Sequence, residues 1–147
     1  MNKTATVALL LAGVLMISCA VSPEPINYGT EACHFCRMTI VDQQHAAQYV
    51  TKKGKQFKFD AVECMLNQLS ESGMEDIEIL LVCDYSNPGS MTDAARATYL
   101  ISPEIKSPMG ANLSAFASLE DLEETMKAHG GELYNWGEML IKYQVTE

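Results

Sequence analysis

Gln56-Phe57-Lys58-Phe59-Asp60-Ala61-Val62-Glu63-Cys64-Met65-Leu66 changes its hydrophobic period halfway along. Up to Phe59, polar and apolar residues alternate, the pattern of a strand with one buried face. From Ala61 the apolar positions are Val62, Met65, Leu66 and Leu69, one face of a helix that runs to about Ser70. Asp60 stands where an N-cap belongs, and Glu63, three residues on, makes a capping-box-like start. Gly73 ends the helix. Upstream, residues 46–51 alternate and are β-prone, and Lys52-Lys53-Gly54-Lys55 is a turn, so residues 46–59 read as a hairpin. Downstream, Ile77–Cys83 is a nearly continuous apolar run, as in a buried strand.

The same cycle follows a loop at Ser86-Asn87-Pro88-Gly89-Ser90. Residues 97–101 read as a strand, 102–110 as a loop with two prolines and Met109, and 113–117 as another strand. Ser118 caps a helix reaching His129, with Asp121 at the box position and Leu119, Leu122 and Met126 inward. Gly130-Gly131 is a C-cap signal. Residues 133–136 read as a strand and 138–143 as a last short helix or strand. The order strand, strand, helix, strand occurs twice, a repeat of organisation rather than of residue identity. The fold class expected is α+β: two similar ββαβ halves packed as one compact unit.

The chain has 147 residues and a formal charge of −9, with 48% hydrophobic residues. The negative charge argues against a nucleic-acid partner, which needs a basic footprint. Residues 1–18 read as a signal peptide: Lys3 supplies the positive end, and an apolar run over 5–17 is shorter than the ~20 residues of a spanning helix. The run ends at Leu15-Met16-Ile17-Ser18-Cys19-Ala20, which resembles a bacterial lipoprotein cleavage box. That resemblance implies cleavage after Ser18 and acylation of Cys19 by lipid such as palmitate, an effectively permanent membrane anchor. Ala20 after the cysteine, rather than Asp, points to the periplasmic face of a Gram-negative outer membrane. Residues 19–28, with Pro23 and Pro25, are expected to form a lipid-anchored tether, and 29–147 the working domain.

Setting Cys19 aside leaves Cys33, Cys36, Cys64 and Cys83. Cys64 and Cys83 lie inside apolar segments and read as small buried hydrophobes. Cys33-His34-Phe35-Cys36-Arg37-Met38 packs two thiols, an imidazole and a thioether into six residues. A bare C-x-x-C has three readings: redox dithiol, half of a zinc site, or copper site. A thioredoxin-like dithiol follows a strand and opens a helix, whereas this one follows a Pro-rich segment and precedes a β-prone one. A structural zinc site needs a second Cys or Cys/His pair. Met38 distinguishes the motif, because a thioether is a good ligand for Cu(I) and a poor one for zinc. In an extended or turn conformation Cys36 and Met38 can face one side. Of the nine methionines, Met65, Met126 and Met139 read as core filler, and Met38 and Met109 lie in turn-like surroundings. His45 and His129 read as structural or exposed.

With these pieces assembled, the chain resembles the NosL family, copper-binding accessory lipoproteins of nitrous oxide reductase maturation. The resemblance rests on the lipobox, on Cys33 to Met38 as C-x-x-C-x-M, on Ala46-Ala47-Gln48 and on Phe59-Asp60-Ala61-Val62-Glu63-Cys64-Met65. It continues in Ser107-Pro108-Met109-Gly110, Ala115-Phe116 and Gly130-Gly131-Glu132-Leu133. It implies a periplasmic, non-enzymatic Cu(I) metallochaperone that passes copper toward the reductase apoprotein or its assembly complex. It also implies two ββαβ-type halves, as in the organomercurial lyases, without implying lyase activity. Carried over by position, Cys36 and Met38 are the first-choice ligands, Met109 the distant thioether, and Cys33 a further ligand or thiol reserve. The alternative is a periplasmic thiol-disulfide oxidoreductase using Cys33 and Cys36, which needs neither methionine. A zinc-stabilised module is a third possibility, which predicts unfolding on chelation.

Overall fold

The computed structural model describes residues 20–146; residues 1–18, read above as a signal peptide, and Cys19 lie outside the described residues. Seven strands and three helices follow in the order β1 (Ala47–Thr51), β2 (Gln56–Phe59), α1 (Val62–Ser72), β3 (Ile77–Cys83), β4 (Met91–Asp93), β5 (Thr98–Ile101), β6 (Leu113–Phe116), α2 (Leu119–His129), β7 (Glu132–Tyr134) and α3 (Trp136–Lys142). They build two antiparallel sheets, ordered β2-β1-β3-β4 and β6-β5-β7. In each half the first strand is central, the second pairs on one side, and the strand after the helix pairs on the other. The doubled ββαβ plan is therefore present in the hydrogen-bonding order as well as in the element order. β4 widens the first sheet, and α3 closes the second half.

The two halves share one core. Phe59, Val62, Met65, Leu66 and Leu69 from the first half pack with Tyr99, Leu113 and Ala115 from the second, and with Met139 of α3. A smaller cluster of Leu100, Ile105, Phe116 and Leu122 lies under α2. Polar stitches cross between the sheets as well: Tyr85 N–H donates to the Ala115 carbonyl at 2.8 Å, and His45 Nε2 lies 3.1 Å from Ser114 Oγ. Among the described residues no helix is long and apolar enough to cross a membrane.

The helix starts differ from the sequence reading. Ala61, not Asp60, is the N-cap of α1, and no side chain caps it. Asp60 is fully buried and turned the other way, where its Oδ1 accepts the Val41 N–H at 3.3 Å. Glu63 does not reach back to the cap; its carboxylate accepts the Ser107 hydroxyl. Both carboxylates are drawn off the helix end by loops that themselves need fastening. Ser118 does cap α2, accepting the Asp121 N–H at 3.4 Å, but Leu119 is half exposed rather than inward. The full reciprocal box is at α3, between Asn135 and Glu138. The last segment is thus a helix, and β4, too short and polar to be read in advance, is held by pairing Cys83 with Met91.

Gly130 and Gly131 have separate tasks. Gly130, at φ 65°, is the C-cap of α2, its N–H returning to the Met126 carbonyl at 2.8 Å. Gly131 has φ 120°, and a Cβ there would stand 2.5 Å from the Ile101 carbonyl oxygen. The chain passes so close to β5 that only a hydrogen fits. Gly131→Ala is expected to destabilise the protein by about 1–3 kcal/mol, read as a lower urea midpoint. Gly54→Ala, which also has positive φ but nothing within 4 Å of the added Cβ, is the control for the conformational cost alone.

Candidate metal centre

Residues 29–41 double back into a small flap. Gly29 N–H donates to the Ile40 carbonyl at 2.8 Å, Ile40 N–H to Glu31 at 2.9 Å, and Ala32 and Thr39 form a bridge. At the tip, Cys33 N–H donates to the Met38 carbonyl at 2.7 Å, and Arg37 N–H donates to the Cys33 carbonyl at 3.1 Å. Arg37 takes the left-handed conformation, φ 67°, that closes the loop. C-x-x-C therefore spans a hairpin-like tip, not the start of a helix.

The flap is fastened to β2. His34 N–H donates to the Lys58 carbonyl at 2.9 Å, and the His34 ring sets its edge against Phe57, centroids 4.5 Å apart. Lys58 Nζ donates to both Glu31 oxygens, at 2.7 and 2.9 Å, and to the Pro25 carbonyl at 2.7 Å. Burial, reinforced by the charges of Arg37 and Lys55, lowers the His34 pKa, so its ring is neutral at pH 7.

This fastening brings Cys33 and Cys36 onto the first turn of α1, where Cys64 points at them. The three sulfurs lie within 4.8 Å of one another; among the described residues they are the group of three His, Cys, Asp or Glu side chains that converges in this way. All four described cysteines are free thiols. Cys64 is the ligand-type residue that the sequence reading missed, having counted it as a small hydrophobe. The signal was present: it follows the strand-to-helix junction directly, and helix starts are where thiols become reactive. Cys83 does behave as that reading expected, buried and away from the cluster, with its sulfur 3.3 Å from Tyr28 Oη.

The cluster's electrostatics are asymmetric. Cys33 is held well below the usual thiol range, by the Cys64 thiol that donates to it and then by the N–H groups of Asp60 and Cys36, which together outweigh its burial. Cys36 is pushed up by burial and by the charge on Cys33. Cys64 is pushed up by the hydrogen bond it gives to Cys33 and by burial. One thiolate is thus cradled by two thiols, and a cation among them would replace both S–H donors.

The two methionines singled out by sequence lie at the surface. Met38 is 52% exposed and Met109 44% exposed. Met109 sits in a turn closed by Gly110 N–H to the Ser107 carbonyl at 3.0 Å. Ser107 Oγ, which also accepts the Asn112 N–H at 2.8 Å, donates to Glu63. The Met109 turn is therefore tied to the residue next to Cys64. Glu63 is buried, and its other carboxylate oxygen has no hydrogen-bond partner among the described residues.

Behind the flap, Asp42 fixes its exit. Its carboxylate accepts the N–H groups of Gln44 at 2.7 Å and His45 at 3.1 Å, and stands 2.9 Å from His45 Nδ1. Burial opposes ionisation, yet the His45 ring and these N–H groups together lower the Asp42 pKa. A carboxylate with a depressed folded pKa contributes stability above its unfolded value of ~3.9 and loses it as pH falls through the folded one. Asp42→Asn is accordingly expected to be less stable than wild type at pH 7. The two urea midpoints should converge as pH falls toward 2, in a titration series that follows both proteins. His45, read from the sequence as structural or exposed, is structural; His129 is exposed, 3.4 Å from Glu104.

An all-sulfur, three-thiol cluster formed where a flap meets a helix start is a donor set suited to soft metal ions. Comparison with known proteins agrees. The NosL family profile matches residues 26–143, and the chain belongs to that family. Over 128 residues it is 29% identical to the "Copper-binding lipoprotein NosL" of Stutzerimonas stutzeri, covering 80% of this chain and 67% of that one. Its fold matches the crystal structure of the copper chaperone NosL from Shewanella denitrificans with a TM-score of 0.71 at 22% identity, over 81% of this chain and 96% of that one.

Proposed function

We propose that this chain is a non-enzymatic carrier of Cu(I), which it binds through sulfur and hands on for assembly of the copper sites of nitrous oxide reductase. The observation that carries the reading is the convergence of Cys33, Cys36 and Cys64 within 4.8 Å; Met38, two residues from Cys36, and Met109, in the turn tied through Ser107 to Glu63, are exposed. Structural zinc takes four ligands in a tetrahedron. Cu(I) is content with two or three soft sulfurs, and the thioethers suit it alone. Cys33, Cys36, Met38 and Met109 are the residues assigned to copper. The rest of the proposal follows the family: residues 1–18 removed as a signal, Cys19 acylated, residues 19–28 leading from the lipid, and residues 29–147 working at the periplasmic face of the outer membrane.

A carrier must hold copper against loss and still release it. A low-coordinate site near the surface does both, because an incoming ligand can add before an old one leaves. Anaerobic titration of the reduced protein with Cu(I) against a strong chelator tests this. One tightly held equivalent per chain, with zinc held far more weakly, is the expected result. A reduced protein that does not retain Cu(I), and that oxidises or reduces test disulfides with turnover, overturns the carrier in favour of an oxidoreductase.

A further inference from the structure

The sulfur atoms of this site are graded in burial. Cys33 and Cys64 are fully buried, Cys36 is half-buried, and Met38 and Met109 are 52% and 44% exposed. The gradient does not follow the sequence motif. C-x-x-C-x-M is split across it, with Cys33 innermost and Met38 outermost, and Cys64 joins the inner end from a different element. Three thiolates in a plane around one ion at ~2.3 Å stand ~4.0 Å apart. The cluster, already within 4.8 Å on every side, needs to contract by less than an ångström. Each methionine is linked to the cluster's neighbourhood by hydrogen bonds. The Met38 carbonyl accepts the Cys33 N–H at 2.7 Å, and the Met109 turn is tied through Ser107 to Glu63, the neighbour of Cys64.

From this we infer that copper occupies two successive stations: an outer one formed by Met38 and Met109 with Cys36, and an inner store formed by Cys36, Cys33 and Cys64. This rests on the Cu(I)-carrier reading and deepens it, making Cys64 a metal ligand and the methionines an entry and exit step. Cys36, lying between the two sets, belongs to both. On the way in, Cu(I) meets the neutral thioethers first. As it moves inward, each thioether leaves unchanged, the bonds to Cys36 and Cys64 replace their S–H bonds and release those two protons to solvent, and Cys33 adds with no proton to lose. On the way out, the thioethers draw the ion back to where a partner's ligand can reach it. Thiolates hold Cu(I) more tightly than thioethers, so the inner store is the resting state and the outer station is passed through.

The experiment uses the full reduced chain, Cu(I) and a chelator of known affinity. Cys64→Ser should lower the equilibrium affinity by ~100-fold, at least the effect of losing a strong outer-shell partner of a metal. Met38→Leu and Met109→Leu, which keep side-chain volume, should slow copper uptake and removal by ~10-fold and lower the equilibrium affinity far less than Cys64→Ser does. Selenomethionine-labelled protein reads the resting state without any cysteine variant. X-ray absorption should show three sulfurs around copper at ~2.3 Å and no copper neighbour at selenium. Copper bound to selenium at equilibrium, or Cys64→Ser holding copper as wild type does, overturns the two stations in favour of a single surface Cys/Met site and leaves the carrier standing. Failure of the wild-type chain to retain Cu(I) removes the carrier reading itself.

Discussion

Cys33→Ser is expected to lower the affinity for Cu(I) by roughly a thousand-fold, about 4 kcal/mol. Of the three thiols, Cys33 is the one at which the cluster's hydrogen bonds converge: it receives Cys64, Cys36 and the Asp60 N–H. It is fully buried, so water cannot stand in for it once copper arrives. Serine is close in size and can still accept those N–H groups, but its oxygen is hard and stays protonated, and a soft ion has little use for it. The copper-free variant should therefore unfold near the wild-type midpoint, while chelator competition shows the loss. Cys36→Ser should cost less than Cys33→Ser, because Cys36 is partly exposed and has Met38 two residues away.

Phe59→Ala is expected to cost about 3–5 kcal/mol in stability, the range for emptying a buried aromatic site. The ring is fully buried, lies 5.4 Å from Tyr49 and 6.3 Å from the His34 ring, and belongs to the residue paired with Ala47. It is also one residue from Asp60, whose N–H supports the Cys33 sulfur. Its loss should thus act twice. Urea unfolding reports the missing core, and copper binding at low denaturant should weaken as well, because the floor on which the flap rests has gone. A Phe59→Leu variant, which keeps much of the apolar volume, should recover most of both; stability without binding would separate the two roles.

The architecture was legible because it is written in periodicity. β2 and β3 begin and end where alternation and the apolar run predict, and α1 keeps Val62, Met65, Leu66 and Leu69 buried as its pattern requires. What was not legible depends on distant partners. Asp60 carries the local signature of a cap, and only the Val41 N–H, brought near by the flap, takes it elsewhere. Glu63 likewise answers to Ser107, far along the chain. The site followed the same division. Cys33, Cys36 and Met38 share a dense motif and stood out at once. Cys64 lay in an apolar helix face, where a thiol and a small hydrophobe look alike, and only folding of the flap onto α1 brings its sulfur within 4.8 Å of those of Cys33 and Cys36.

The approach to the domain has a mechanical consequence. Gln56 Nε2 donates to the Ser22 carbonyl at 3.0 Å, its Oε1 accepts the Glu24 N–H at 3.1 Å, Gln48 Nε2 donates to the Glu24 carbonyl at 2.9 Å, and Lys58 holds Pro25. The leader is thus clamped along β2 from Ser22 onward. With acyl chains on Cys19, only Ala20 and Val21 intervene, a leash of ~10 Å at full stretch. The body would then ride directly on the bilayer surface, unable to tumble or reach outward. In that arrangement any recipient would have to come down to the lipid headgroups to meet it, and lengthening the leash by a few residues before Ser22 would change the rate of that encounter without touching a single sulfur.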